Sequence, residues 1–76
     1  MKNIVGERIR KARLSARPKI TQNDLVARLQ ILGYDKIDRV KISRIENDLT
    51  PVLDYEVVAL AKALKVKVSW LLEGPD

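Results

Sequence analysis

Residues 39–48 read RVKISRIEND. Fold and function both turn on how this stretch divides its side chains. On a helix each residue turns about 100° from the last. With Arg39 at zero, Ile42 and Ile45 point to about 300° and 240° and define a buried seam. Opposite that seam, at roughly 40–140°, lie Ser43, Asn47, Val40 and Arg44. Arg39 and Lys41 flank the two sides. Glu46 falls at the edge of the seam, where an acid costs free energy unless it is paired.

A solvated helix face more often mixes Glu and Lys at i, i+4 spacing. This face instead carries Val, Ser, Arg and Asn with a cation on each border. Those types suit base edges: Arg reads guanine, a small apolar group meets a thymine methyl, and Ser serves either. An ordinary surface helix is the plain alternative, and a basic helix alone decides nothing.

Around this stretch the apolar spacing is helical throughout. The first helix is predicted from about Ile4 to Ala16, with Asn3 as N-cap and Val5, Ile9, Ala12 and Ala16 on one face. Pro18 lies at or just past its end. The second has the clearest start signal: Thr21 as N-cap with Asp24 three residues later, a capping-box pair. Its seam is Leu25, Leu29 and Leu32, and Gly33 ends it in a left-handed conformation. Asp38 caps the third helix, which runs to about Asn47. Asn47 and Asp48 tolerate helix-ending conformations, and Pro51 forbids continuation. Asp54 caps the fourth helix, with Val57 or Val58, Leu60, Ala61 and Leu64 inward. Ser69 caps a last turn, WLLEG, which Gly74 and Pro75 stop. Gly6, Pro18, Gly33, Pro51, Gly74 and Pro75 are all placed at junctions. The alternation in VKVS near Val66 is too short to count as a strand. The expectation is one all-α domain over residues 1–76, a compact five-helix bundle.

A chain of 76 residues makes one small domain. Domains of this size often fold alone, though with a marginal core. The chain has no cysteine and no histidine. A disulfide framework is therefore excluded, and a zinc site nearly so. Catalysis through histidine or a cysteine nucleophile is impossible. No Gly-rich phosphate loop is present, and Asp24, Asp38 and Asp54 already have structural explanations as caps. No enzyme, cofactor or metal is expected. No apolar run reaches membrane-spanning length, and the opening residues lack a signal-peptide pattern. A cytoplasmic location fits the absence of cysteine.

The net charge of +5 divides unevenly: +6 over residues 1–20, +1 over 21–47 and −2 over 48–76. A domain basic at one end and acidic at the other presents one face to a polyanion, or merely stays soluble.

Four segments together resemble the phage Cro/repressor-like helix-turn-helix family, also called the xenobiotic-response-element (XRE) family. They are GERIRKAR, ITQNDLVARL, IDRVKISRIEND and ALAKALKVKVSWLLEG. They stand in the family's order and cover almost the whole chain. The pairing of T-Q-x-x-L with I-S-x-I-E-N is the specific part. The resemblance implies a lambda-repressor-like fold in which helices 2 and 3 form the motif and helix 3 enters the DNA major groove. It implies that Gln22 holds a phosphate. It implies that Arg39, Val40, Lys41, Ser43 and Arg44 face base edges or the neighbouring backbone. It also implies a partly buried Arg13–Glu46 pair between helices 1 and 3, which agrees with the seam-edge position of Glu46. Thr21, Lys36 and Asn47 join Gln22 as expected phosphate contacts.

Three departures stand out. LQILGYDKI occupies the place of a shorter KLGV-like connection, so either helix 2 or its turn is longer, and Tyr34 and Lys36 either flank the DNA or cover the core. Asp48 replaces the usual glycine. Val26 replaces an alanine, which implies looser packing between helices.

The function expected from the resemblance is sequence-specific binding of double-stranded DNA by a transcriptional regulator, a repressor. Family members usually bind near-palindromic operators as homodimers, at least on DNA. Trp70, Leu71 and Leu72 offer an interface, although Trp70 is better read as closing the core beneath helix 1 or 4. Two other classes remain: a protein-interaction or antitoxin-type module on the same fold, and non-specific nucleic-acid binding.

Overall fold

In a computed structural model describing residues 4–74, the chain forms α1 (Ile4–Ser15), α2 (Gln22–Ile31), α3 (Arg39–Glu46), α4 (Asp54–Leu64) and α5 (Val68–Glu73). No strand occurs among the described residues, and Val68 opens α5 rather than extending an alternation. The Asn3 cap and the Pro75 stop lie outside the described residues. The radius of gyration is 11.1 Å, matching the value of about 11 Å expected for a single body of this length. The all-α five-helix bundle is therefore the architecture of the chain.

The core takes a residue from every helix: Ile9, Leu25 and Leu29, Ile42 and Ile45, Leu60, and Leu71, all fully buried. Each such side chain contributes roughly 1.5–3 kcal/mol by leaving water. Against this core α1 packs on α3, α4 and α5, while α2 packs on α3 and α4. Val26 packs against the core and is partly buried. Trp70 does likewise, on a helix that contacts α1 and α4.

Helix termini follow local chemistry closely. Thr21 Oγ1 accepts from the Asp24 amide at 3.0 Å, and the Asp24 carboxylate accepts from the Thr21 amide at 3.0 Å. The Thr21 amide and hydroxyl hold the Asp24 carboxyl below its ordinary value of 3.8, with a smaller lowering effect from Arg28. Asp38 Oδ1 accepts from the Lys41 amide at 2.8 Å and starts α3. Three helices end in the same way. The amide that follows a left-handed residue reaches back past a full turn: Tyr34 to the Leu29 carbonyl, Leu49 to Arg44 and Val66 to Ala61. The turn needs a left-handed residue, supplied by Gly33, Asp48 and Lys65. Asp48, with φ 59°, adopts the left-handed conformation that glycine takes most readily, which aspartate tolerates better than most residues.

Several expectations shift. The long connection is a longer turn, because α2 stops at Ile31 and residues 32–38 bridge to α3. Leu32 is the C-cap and is half exposed rather than part of the seam. Ile37 closes the core from that turn instead, at 1% exposure. Asn47 is a C-cap, and Ser15 ends α1 one residue early. Leu53, not Asp54, holds the cap position of α4, where its amide donates to Glu56 Oε1 at 2.9 Å. Lys67 precedes α5, and Ser69 lies inside its first turn. Val57 is the inward valine, while Val58 is exposed.

Gly6 is not a junction but an interior residue of α1. A Cβ there would sit 2.1 Å from the Ile45 carbonyl oxygen. Only glycine lets α1 approach the α3 backbone so closely.

Candidate nucleic-acid interface

The outward face of α3 is set by its inward one. Ile42 and Ile45, at 1% and 0% exposure, fix the rotation of the helix. Arg39, Val40 and Arg44 are then exposed, with Ser43 between them half-buried. Val40 is 62% exposed. Gln22, the first residue of α2, joins these four to line one shallow concavity. Neither Arg39 nor Arg44 has an ion-pair partner among the described residues. Two guanidiniums, a methyl-bearing surface and a hydroxyl thus share one concave surface with a side-chain amide.

That geometry depends on one carboxylate. Glu46 ends α3, and its side chain is 4% exposed. Arg13 of α1 grips it with two bonds, Nε to Oε2 and Nη2 to Oε1, both 2.7 Å. The remaining Arg13 Nη1 donates to the Ile20 carbonyl at 3.0 Å. Gln22 Nε2 donates to Glu46 Oε1 at 3.3 Å. Three helices therefore meet at Glu46, and the angle between α2 and α3 is held from behind the concavity. A fork-to-fork pair of this kind is stronger and more directional than a neutral hydrogen bond. Gln22 uses one amide hydrogen here, which leaves the other, together with its carbonyl, available.

The remaining candidates are placed elsewhere. Lys41 leaves the outward face: its Nζ lies 3.5 Å from Glu56 Oε2, and its side chain is 31% exposed. A lysine on the border of the seam can lay its stem along apolar surface and reach a neighbouring acid. Asn47 donates from Nδ2 to the Ser43 carbonyl at 2.9 Å, which completes the end of α3. Thr21 is exposed beside Gln22, but its hydroxyl oxygen already serves the α2 cap. Lys36 is exposed in the α2–α3 turn, beside Tyr34, Ile37 and Tyr55, in a groove separate from the concavity. Arg10, Lys11, Arg17 and Lys19 are exposed on α1 and the loop after it.

Two positioning residues were not singled out from the sequence. Glu56 is 2% exposed and holds both the Leu53 amide and Lys41. Its signal was present, because an acid at the third position of a helix is the capping-box place. With Asp54 as the expected cap, the third position is Val57, so the pattern does not point to Glu56. Arg8 donates from Nη1 to the Trp70 carbonyl at 3.0 Å and fastens α5 to α1. No local pattern announces a contact so distant in sequence.

Among the described residues no group of acids could hold a metal ion, and no helix is long and apolar enough to cross a membrane. Compared with protein-family models, curated proteins and solved structures, the chain matches none of them.

Proposed function

We propose that the chain is a sequence-specific double-stranded DNA-binding regulator, a cytoplasmic repressor, with α3 lying in the major groove. The observation that carries this reading is the concavity shared by Gln22, Arg39, Val40, Ser43 and Arg44. Its chemistry is that of base-edge recognition, and its scale is right. An α-helix with its side chains is about 10–12 Å across, close to the major-groove width of about 12 Å.

Arg39 and Arg44 each present two parallel donors to guanine O6 and N7. Val40 meets a thymine methyl, and Ser43 bonds to either strand's bases. At the start of α2 the Gln22 and Asn23 amides have no intrahelical acceptors, whereas the Asp24 amide is taken by Thr21 Oγ1. With the Gln22 side chain, those two amides bind a phosphate that fixes register without reading sequence. Exposed Arg10, Lys11, Arg17 and Lys19 add long-range attraction to the duplex. One copy covers one half-site, so a homodimer on a near-palindromic operator completes the recognition unit.

The test is selection of bound sequences from a random duplex pool, followed by salt titration on the selected and random duplexes. A specific reader retains an excess of roughly 10³ or more on its site. Arg44→Ala is expected to lose about 1–3 kcal/mol on the selected site and to relax preference at one or two base pairs. Equal loss on random DNA makes Arg44 a phosphate contact. No enrichment with a steep salt slope favours non-specific binding. No binding at all favours the interaction or antitoxin-type module.

A further inference from the structure

Away from the α3 face, the C-terminal ends of α2 and α4 enclose a second groove. It is lined by Arg28, Ile31, Leu32, Lys62, Ala63 and Lys65. Its aliphatic surface, Ile31 and Leu32, is open to water. Ile31 is 86% exposed and Leu32 is 46% exposed. Its rim holds three cations and no acid. Arg28 is fixed in place by donating Nη1 to the Ala63 carbonyl at 3.1 Å. That leaves its other guanidinium donors available.

Two adjacent large aliphatic side chains exposed to this extent lose free energy in water that a partner would recover. The charges state what the partner looks like. A phosphate backbone would satisfy the cations but leave the aliphatic floor wet. A purely apolar partner would bury the cations without counter-charge, which is costly. An apolar side chain flanked by carboxylates satisfies both. The groove is also clear of the α3 face: Ile31 lies about 14 Å along α2 from Gln22.

We propose that this groove docks an acidic amphipathic segment of a partner protein, with an apolar side chain against Ile31 and Leu32 and flanking carboxylates on Arg28, Lys62 and Lys65. The site shares no lining residue with the α3 concavity and does not depend on DNA binding.

The test titrates the isotopically labelled chain with a synthetic peptide in which leucines alternate with aspartates and glutamates. A control peptide replaces the leucines by serine at unchanged charge. Amide shifts are expected at residues 28–32 and 62–65 with the leucine peptide alone. Ile31→Gln, a surface change to a good helix former, is expected to weaken binding roughly tenfold while the spectrum stays folded. Lys62→Gln is expected to weaken it roughly threefold at low salt. Equal binding of the serine peptide overturns the proposal, as do shifts centred on residues 39–44. Concentration-dependent shifts of the groove in the protein alone assign it to a second copy and overturn the proposal. Shifts of the groove with duplex DNA assign it to the nucleic acid and overturn it too. Failure of any of these arms leaves the operator selection unaffected.

Discussion

Arg13→Met should destabilise the fold more than removing Arg13 and Glu46 together. Arg13 and Glu46 have side chains only 9% and 4% exposed, and two bonds of 2.7 Å join them. Removing the arginine strands a carboxylate in the interior with only the Gln22 amide at 3.3 Å. Breaking a buried pair in this way costs about 3–5 kcal/mol. Glu46→Leu strands the guanidinium instead, leaving it the Ile20 carbonyl at 3.0 Å, at a similar cost. A chain of 76 residues has about 4–11 kcal/mol of stability in total. Each single variant therefore stands close to unfolding.

The double variant Arg13→Met with Glu46→Leu removes both charges and restores apolar volume. Such replacements come out neutral, or stabilising by about 1–4 kcal/mol. Against this, the Ile20 carbonyl loses its donor, at about 1–3 kcal/mol. The double variant is thus expected within about 2 kcal/mol of the parent, although the single costs sum to about 6–10 kcal/mol. Urea unfolding followed by circular dichroism reads all four proteins without adding salt. Single variants costing less than about 1 kcal/mol, or a double variant equal to their sum, would refute the coupled pair.

Gly6→Ala places a methyl 2.1 Å from the Ile45 carbonyl oxygen. The shift of α1 away from α3 is expected to cost about 1–3 kcal/mol, exceeding the helical gain of about 1 kcal/mol from alanine. Urea midpoints check this, and a more stable variant contradicts the close approach. Replacing a recognised thymine by deoxyuridine removes its methyl and should weaken the parent by about 0.8 kcal/mol. Val40→Ala should be nearly indifferent to that change, and equal sensitivity in the two proteins removes Val40 from base contact. The Asp24 carboxyl is lowered from its ordinary value of 3.8 by the Thr21 amide and then the Thr21 hydroxyl. Its stabilisation is complete above that value and is lost as pH falls through the lowered folded value. The stability gap between parent and Asp24→Asn should therefore be constant at neutral pH and close only in strong acid. A gap that closes near neutrality assigns the effect to another group.

How much of this was legible in sequence depends on how far each side chain's aim is set by its own segment. The Thr21–Asp24 box and the Asp38 cap follow from residues three apart, so reading them needs no knowledge of the fold. The same holds for Val40, Ser43 and Arg44: once Ile42 and Ile45 face inward, their directions follow from helix rotation alone. Lys41 and Asn47 moved for the opposite reason. Lys41 sits on the border of the seam, and the position of Glu56 decides where its long stem goes. Asn47 sits at a helix end, where an exposed carbonyl of its own helix competes with any ligand for its amide.

Gly6 and Asp48 show the same boundary from the backbone side. Gly6 reads as a junction because glycine weakens a helix. The reason for it is an oxygen of α3, 39 residues away at Ile45. Asp48 reads as a departure from the glycine of the resembled pattern, yet it takes the left-handed turn itself. The first is a tertiary constraint that no window of sequence contains. The second is a local one that composition understates, because a left-handed aspartate is uncommon but inexpensive. Both act on α3: Gly6 sets how near it lies to α1, and Asp48 ends it directly after the Glu46 carboxylate. The proposed recognition surface is therefore specified twice, outwardly by residues whose pattern is visible and inwardly by residues whose purpose appears only on folding. Substitutions of the first kind should change what is bound, and substitutions of the second kind should change whether the surface forms at all.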